Sequence, residues 1–164
     1  MLSDTRKDVI RKIEEYSTLM NLSDKRVLEV GIAGDAKPGG NYRFFGIKNR
    51  YETLDIDHRY EPDYIADIRN TDLQSNKFDL IILSQTIEHM THPEEAIAEC
   101  YRLLKPKGYI ILDCPWNYPY HPEDDFEDYA RYTHAGLEHM CREQGFNIVT
   151  SSLTENLASC LAKK

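Results

Sequence analysis

The chain has 164 residues, and its 20 Lys and Arg against 28 Asp and Glu give a formal net charge of −8, which argues against nucleic acid as a partner. Apolar residues make up 41% and aromatic residues 10%, enough for one packed domain over residues 1–164 and too much for a disordered chain. No apolar run approaches the roughly 20 residues of a membrane helix, the start M-L-S-D-T-R-K-D has no apolar signal core, and the four cysteines form no C-x-x-C pair. These features predict a cytoplasmic protein with reduced thiols and no membrane partner.

Ser3 and Asp4 open a segment in which Val9, Ile10, Ile13, Tyr16, Leu19 and Met20 recur at spacings of three and four. This pattern predicts an amphipathic helix within residues 1–21, packed on the domain. Arg26 to Gly31 reads as a short β-branched strand that runs into G-I-A-G-D-A-K-P-G-G, a loop that its glycines and proline keep from being helical. After a brief segment at Asn41 to Phe45, a second strand is expected from Tyr51 to Asp57 and a third from Tyr64 to Ala66, closing on Asp67. The linker from His58 to Asp63 is too short for a helix, which leaves one sheet face thinly covered and open to a second copy or another docking partner.

Phe78 to Ser84 and Gly108 to Asp113 are near-continuous apolar runs of the kind buried on both faces of a parallel sheet. Between them Pro93 to Leu104 fits a helix, with Pro93, Glu94 and Glu95 suited to its first turn and Lys105-Pro106-Lys107-Gly108 ending it. Thr133 to Gln144 is the last helix, capped by Thr133. Phe146 to Ser152 and Leu157 to Ala162, joined by Thr154-Glu155-Asn156, form a terminal hairpin. The class is therefore α/β, a doubly wound sheet with its ligand crevice at the carboxyl ends of the strands.

Glu29 to Asp35, Asp55 to Asp57, Asp67, Ser84 to Gln85 and Asp113 all fall at such strand ends. A glycine loop lets backbone approach a cofactor closely, and a carboxylate closing the next strand can accept two ribose hydroxyls. A nicotinamide site would want G-x-G-x-x-G and an ATP site G-x-x-x-x-G-K-[ST], and neither is present.

The residues V-L-E-V-G-I-A-G, L-D-I-D, Y-I-A-D-I, F-D-L-I-I-L-S-Q-T-I-E-H-M-T-H-P and R-L-L-K-P-K-G-Y-I-I-L resemble the class I S-adenosylmethionine-dependent methyltransferases of the small methyltransferase-domain group. That resemblance implies a Rossmann-like seven-stranded sheet in the order 3-2-1-4-5-7-6 with the last strand antiparallel, and S-adenosylmethionine as cofactor. It places Glu29 and Gly31 at the start of the cofactor loop with Ala33 and Gly34, Asp55 with Ile56 at the ribose, Asp67 with Ile68 at the adenine, and Ser84 and Gln85 beside the sulfonium. Asp57, two residues beyond Asp55, competes for the ribose. Ala33 stands where the family has a second glycine, a departure that leaves the loop's path open.

On the acceptor side, His89 after the fourth strand and His121 after the fifth are candidate bases for a hydroxyl acceptor, or simply loop residues held by hydrogen bonds. His89 and His92 lack a further well-spaced ligand, so no metal is expected. The aromatic, acidic stretch from Trp116 to Tyr132 reads either as a loop sealing the sheet edge or as an acceptor lid, with Trp116, Tyr118 and Tyr132 as substrate contacts. The function expected is methyl transfer to a small polar acceptor such as a sugar or natural-product hydroxyl or amine. The alternative is a catalytically weak cofactor-binding subunit that docks on a partner.

Overall fold

A computed structural model describes residues 4–32, 40–122 and 126–164. The loop residues Ala33 and Gly34, expected at the cofactor, lie outside the described residues, as do the carboxylates Glu123, Asp124 and Asp125. Helix α1 runs from Asp4 to Met20 and buries Thr5, Val9, Ile13 and Tyr16, one stripe at spacings of four, four and three. Fully burying a side chain such as Ile13 stabilises by about 1.5–3 kcal/mol, and the Tyr16 hydroxyl adds a hydrogen bond of 2.9 Å with Ser159 Oγ. The expected N-terminal helix is thus fastened to the sheet at its middle.

Seven strands follow: β1 (Arg26–Val30), β2 (Arg50–Asp55), β3 (Tyr64–Ile65), β4 (Phe78–Ser84), β5 (Leu104–Pro115), β6 (Asn147–Leu153) and β7 (Leu157–Lys163). They form one sheet in the order β3-β2-β1-β4-β5-β7-β6. The first five pair in parallel, and β7 is antiparallel to both β5 and β6. Fold class and strand order are those expected from the sequence.

The period-two alternation of the strands divides the core between two layers. Leu28, Val30, Leu54, Ile81, Leu83, Ile110 and Leu112 meet helices α3 (Pro93–Leu103) and α4 (His134–Glu143) on one face. Val27, Leu80, Ile82, Ile111, Leu157 and Leu161 meet α1 and the short helix α2 (Tyr42–Phe45) on the other. The central stretches of β4 and β5, Leu80 to Leu83 and Ile110 to Leu112, are apolar because both of their faces are covered.

Three boundaries differ from expectation. Strand β2 stops at Asp55, because Asp57 turns its carboxylate back to cap a 3-10 turn at His58–Tyr60 by accepting from Arg59 N. Strand β3 has only two residues, leaving Ile65 exposed at the sheet edge. Strand β5 begins at Leu104, which pairs with Phe78, so the Lys105 to Lys107 stretch continues into the sheet directly from α3. The four cysteines are free and buried, and no helix among the described residues is long and apolar enough to cross a membrane.

Candidate functional site

A cleft of about 360 Å³ opens at the carboxyl ends of the parallel strands, within the size range of small-molecule sites. At the end of β1, Gly31 adopts φ +74°, a left-handed conformation that a side chain disfavours. A Cβ there would sit 2.5 Å from Thr86 Oγ1, so glycine is required by space as well as by backbone. Thr86 Oγ1 in turn hydrogen-bonds the carbonyl oxygens of Val30 and Ser84, joining the ends of β1 and β4. Glu29 is buried beneath this turn and accepts from Asn41 Nδ2 at 2.7 Å and from the Tyr51 hydroxyl at 2.7 Å. It anchors the far end of the glycine loop to the sheet.

Asp55 is buried at the end of β2, accepting from Ile32 N at 2.7 Å on one oxygen and from Asp57 N at 2.9 Å on the other. An ionised carboxylate has about four acceptor positions, so these two backbone donors fix its orientation and leave acceptor capacity for a ligand. Beside it Ile56 is 54% exposed and lines the cleft, an apolar plate among polar neighbours. Asp67 and Ile68 line the next stretch of wall, with Ile68 buried and Asp67 bound to the Arg69 guanidinium, whose hydrogen bonds hold its carboxyl below the usual range. Asp57, paired with Arg59, is not among the lining residues.

At the centre of the sheet, Gln85 takes φ +53°, an unusual conformation for a residue with a side chain. Ser84 Oγ and Gln85 Nε2 both donate to Asp113 Oδ1, at 2.9 and 2.7 Å. Asp113 lies near the end of β5 and is buried; burial pushes its carboxyl up to about 6, against the opposing pull of those two hydrogen bonds.

The acceptor side is built from a 3-10 turn at Ile87–His89 and from the segment after β5. His89 Nδ1 lies 2.8 Å from the Glu127 carbonyl oxygen, and the His89 and His121 rings meet edge to face at 5.4 Å. His121 is held by Asp128, whose carboxyl Arg131 keeps far below the usual range. The backbone N–H of Tyr129 donates to the Glu88 carbonyl, pinning this segment to the turn after β4.

Of the expected site residues, the structure brings Glu29, Gly31, Asp55, Ile56, Asp67, Ile68, Ser84, Gln85, His89 and His121 to one cleft. Trp116, Tyr118 and Tyr132 do not line it. Trp116 is tied through its backbone N–H to Asn156 at the terminal hairpin, Tyr118 stacks edge-on against His121, and Tyr132 packs on the α3–α4 core. Their places are taken by Phe126 and Tyr129 from the same segment. Arg6, Asn41 and Glu88 also line the cleft without having been expected. Only Glu88 had a sequence signal, its position beside His89 at a strand end.

A family model described as a methyltransferase domain matches residues 34–112. The ubiquinone biosynthesis O-methyltransferase of Actinobacillus pleuropneumoniae is 33% identical over 109 residues, which are 56% of this chain and 46% of that protein. The chain thus spans about half the length of the curated relatives it matches. Among solved structures, the Burkholderia thailandensis 1,6-didemethyltoxoflavin-N1-methyltransferase superposes with TM-score 0.75 at 16% identity, over 98% of this chain and 81% of that one. The cyclase SpnF superposes at 0.69 with 14% identity, over 92% and 81%. Residues 34–112 thus match a methyltransferase-domain model, and the chain folds in the strand order, with its cleft at the strand ends, that its resemblance to the class I S-adenosylmethionine-dependent methyltransferases implies.

Proposed function

We propose that the chain binds S-adenosylmethionine in this cleft and directs its methyl group to a hydroxyl of a small acceptor. The observation that carries the reading is Asp55, a buried carboxylate oriented by two backbone N–H groups with acceptor capacity left over, beside a glycine whose left-handed backbone and close approach to Thr86 disfavour a side chain. When bound, the cofactor would supply an electrophilic methyl group for in-line transfer to the acceptor oxygen, with S-adenosylhomocysteine as the leaving product. Asp55 accepts from the ribose hydroxyls, Ile56 covers the adenine, and Asp67 with Ile68 borders its edge. Gly31 leaves room for the methionine part, and Ser84 and Gln85 border the sulfonium.

His89 and His121 stand at the other end, where either ring takes the proton that a hydroxyl must lose. Phe126 and Tyr129 offer flat faces to an acceptor ring. A hydroxyl acceptor is favoured because the curated relatives matched are named as O-methyltransferases, and because groups able to take a proton converge on the acceptor end.

A second reading, cofactor binding without methyl transfer by a chain that docks on a partner or a second copy, draws on the exposed Ile65 edge and on a cyclase sharing the fold. The two separate in one assay. The protein is incubated with S-adenosylmethionine and a panel of phenols, sugars and amines, and S-adenosylhomocysteine is measured. Turnover on hydroxyl acceptors supports methyl transfer, turnover only on amines moves the acceptor class, and binding without any turnover supports the second reading.

A further inference from the structure

We propose that Glu88, His89 and His121 form a binding site for a divalent first-row transition metal ion at the acceptor end of the cleft. Each of the three offers one ligand atom, and these atoms lie within 4.8 Å of one another. At metal–ligand lengths of about 2.0–2.2 Å, donors on a tetrahedral ion lie about 3.3–3.6 Å apart, so a shift of roughly 1–1.5 Å closes the set. Two of the three residues, His89 and His121, are only half-buried, and His89 sits on the 3-10 turn at Ile87–His89.

Glu88 is the independent observation that points to a ligand. Its side chain is fully buried, it lines the cleft, and neither carboxylate oxygen accepts a hydrogen bond from another described residue. A buried carboxylate without donors is expensive, and a bound cation is one of the few partners that offsets its desolvation. Arg131 attracts Glu88 through space, but its Nη atoms are committed to Asp128 and to the carbonyl oxygens of Tyr118 and Pro119, and no Arg131 nitrogen hydrogen-bonds the Glu88 carboxylate.

Both histidines are also set up as ligands. His89 Nδ1 faces the Glu127 carbonyl at 2.8 Å, and His121 Nδ1 faces Asp128 Oδ2 at 3.0 Å and the Pro119 carbonyl at 3.1 Å. Arg131 Nη2 also lies 3.1 Å from that nitrogen, but Asp128 accepts from Arg131 as well and stays ionised. With the Nδ1 proton given to an acceptor, each ring keeps its free lone pair on Nε2, and a carboxylate behind an imidazole is the support that metal-bound histidines use. Two imidazoles and one carboxylate suit zinc, cobalt or ferrous iron and leave positions open; magnesium and calcium prefer all-oxygen sites.

Such an ion would hold the acceptor's hydroxyl and lower its pKa so that its proton leaves to water, and with the ion bound His89 and His121 would serve as ligands in place of the base role given to them above. That role rests on the methyl-transfer reading, but the site does not. The test uses the full chain, free of any purification tag and stripped with EDTA, in the absence of cofactor and acceptor. Equilibrium dialysis against zinc chloride should leave one ion per chain. Affinity should fall at least about 100-fold in Glu88→Gln, His89→Ala and His121→Ala, fall about 10- to 100-fold in Asp128→Asn, and hold in His92→Ala. A cooperative thermal transition in each metal-free variant, within a few degrees of the metal-free wild type, separates ligand loss from unfolding. On the wild type alone, electron paramagnetic resonance of bound Cu²⁺ should count two coordinated nitrogens. No retained zinc, zinc binding that survives His121→Ala and Glu88→Gln, or fewer than two nitrogens on copper would overturn the site, whatever the cofactor titration gives.

Discussion

The two ends of the cleft are made differently. The cofactor end is assembled from strand termini: Gly31 closes β1, Asp55 closes β2 and Ser84 closes β4, each held by the hydrogen-bonded ladder beneath it. The acceptor end is assembled from a 3-10 turn and a long segment, joined by side-chain contacts such as His121 with Asp128 and by a backbone bond from Tyr129 to Glu88. A site on a ladder has its geometry set by the fold, whereas a site on loops depends on which side chains happen to lock one another. Substitutions at the first end should therefore affect cofactor binding sharply and those at the second should leave it alone.

The largest break is expected at Gly31. Gly31→Val puts side-chain atoms where Thr86 Oγ1 already sits and forces a left-handed backbone that costs about 1–2 kcal/mol by itself. Calorimetric titration should find cofactor affinity reduced by more than about 100-fold together with a lower melting temperature. Adding Thr86→Ala should recover part of the loss, since it removes the clash but not the backbone strain.

Next is the pH dependence set by Asp113, which lies behind the junction of the two ends. Its carboxyl is raised to about 6 by burial, so the folded state binds this proton more tightly than the unfolded chain does. The associated stability is fully present below the unfolded value of about 3.9 and is lost as pH rises through about 6, a difference on the order of 3 kcal/mol. Arg6, Glu88 and the hydrogen-bonding pair Ser84 and Gln85 are the groups around it. Denaturant titrations from pH 4.5 to 7.5 should find that Asp113→Asn removes most of this slope, because an amide oxygen can still accept from Ser84 and Gln85.

The smallest effects separate two aromatic residues on one segment. Trp116→Ala should change cofactor affinity by less than about threefold and acceptor turnover little, because Trp116 lies outside the cleft. Tyr129→Ala should leave cofactor affinity within the same range but weaken acceptor use by about 10-fold. Equal acceptor defects in both variants would mean that the whole segment acts as one unit and would erase the distinction between the two ends.

The same division marks what could be read from the sequence. Strand ends are legible because apolar runs such as Phe78 to Ser84 announce buried strands and the residue that follows each must face the crevice. That logic located Gly31, Asp55, Ser84 and Gln85, and a helical stripe located α1. It did not decide which aromatics of the 116–132 segment turn inward, since that depends on the Arg131–Asp128–His121 lock, contacts that no periodicity encodes. Arg6 went unseen for a similar reason: on the polar face of an amphipathic helix, nothing distinguishes the one cation that reaches over the cleft. In the sequence Glu88 is simply the neighbour of His89, and only the packing makes its carboxylate a buried one without donors.

The central claim, that a cofactor's ribose sits on Asp55, is tested most directly by calorimetric titration of S-adenosylhomocysteine into the wild type, Asp55→Ala and Asp57→Ala, with NAD as the comparison ligand. The account predicts one-to-one binding to the wild type, no binding of NAD, a loss of about 1.5–3 kcal/mol or roughly 10- to 100-fold in Asp55→Ala, and a change under about threefold in Asp57→Ala. Wild-type affinity in Asp55→Ala beside a large loss in Asp57→Ala, or tighter binding of NAD than of S-adenosylhomocysteine, would contradict it.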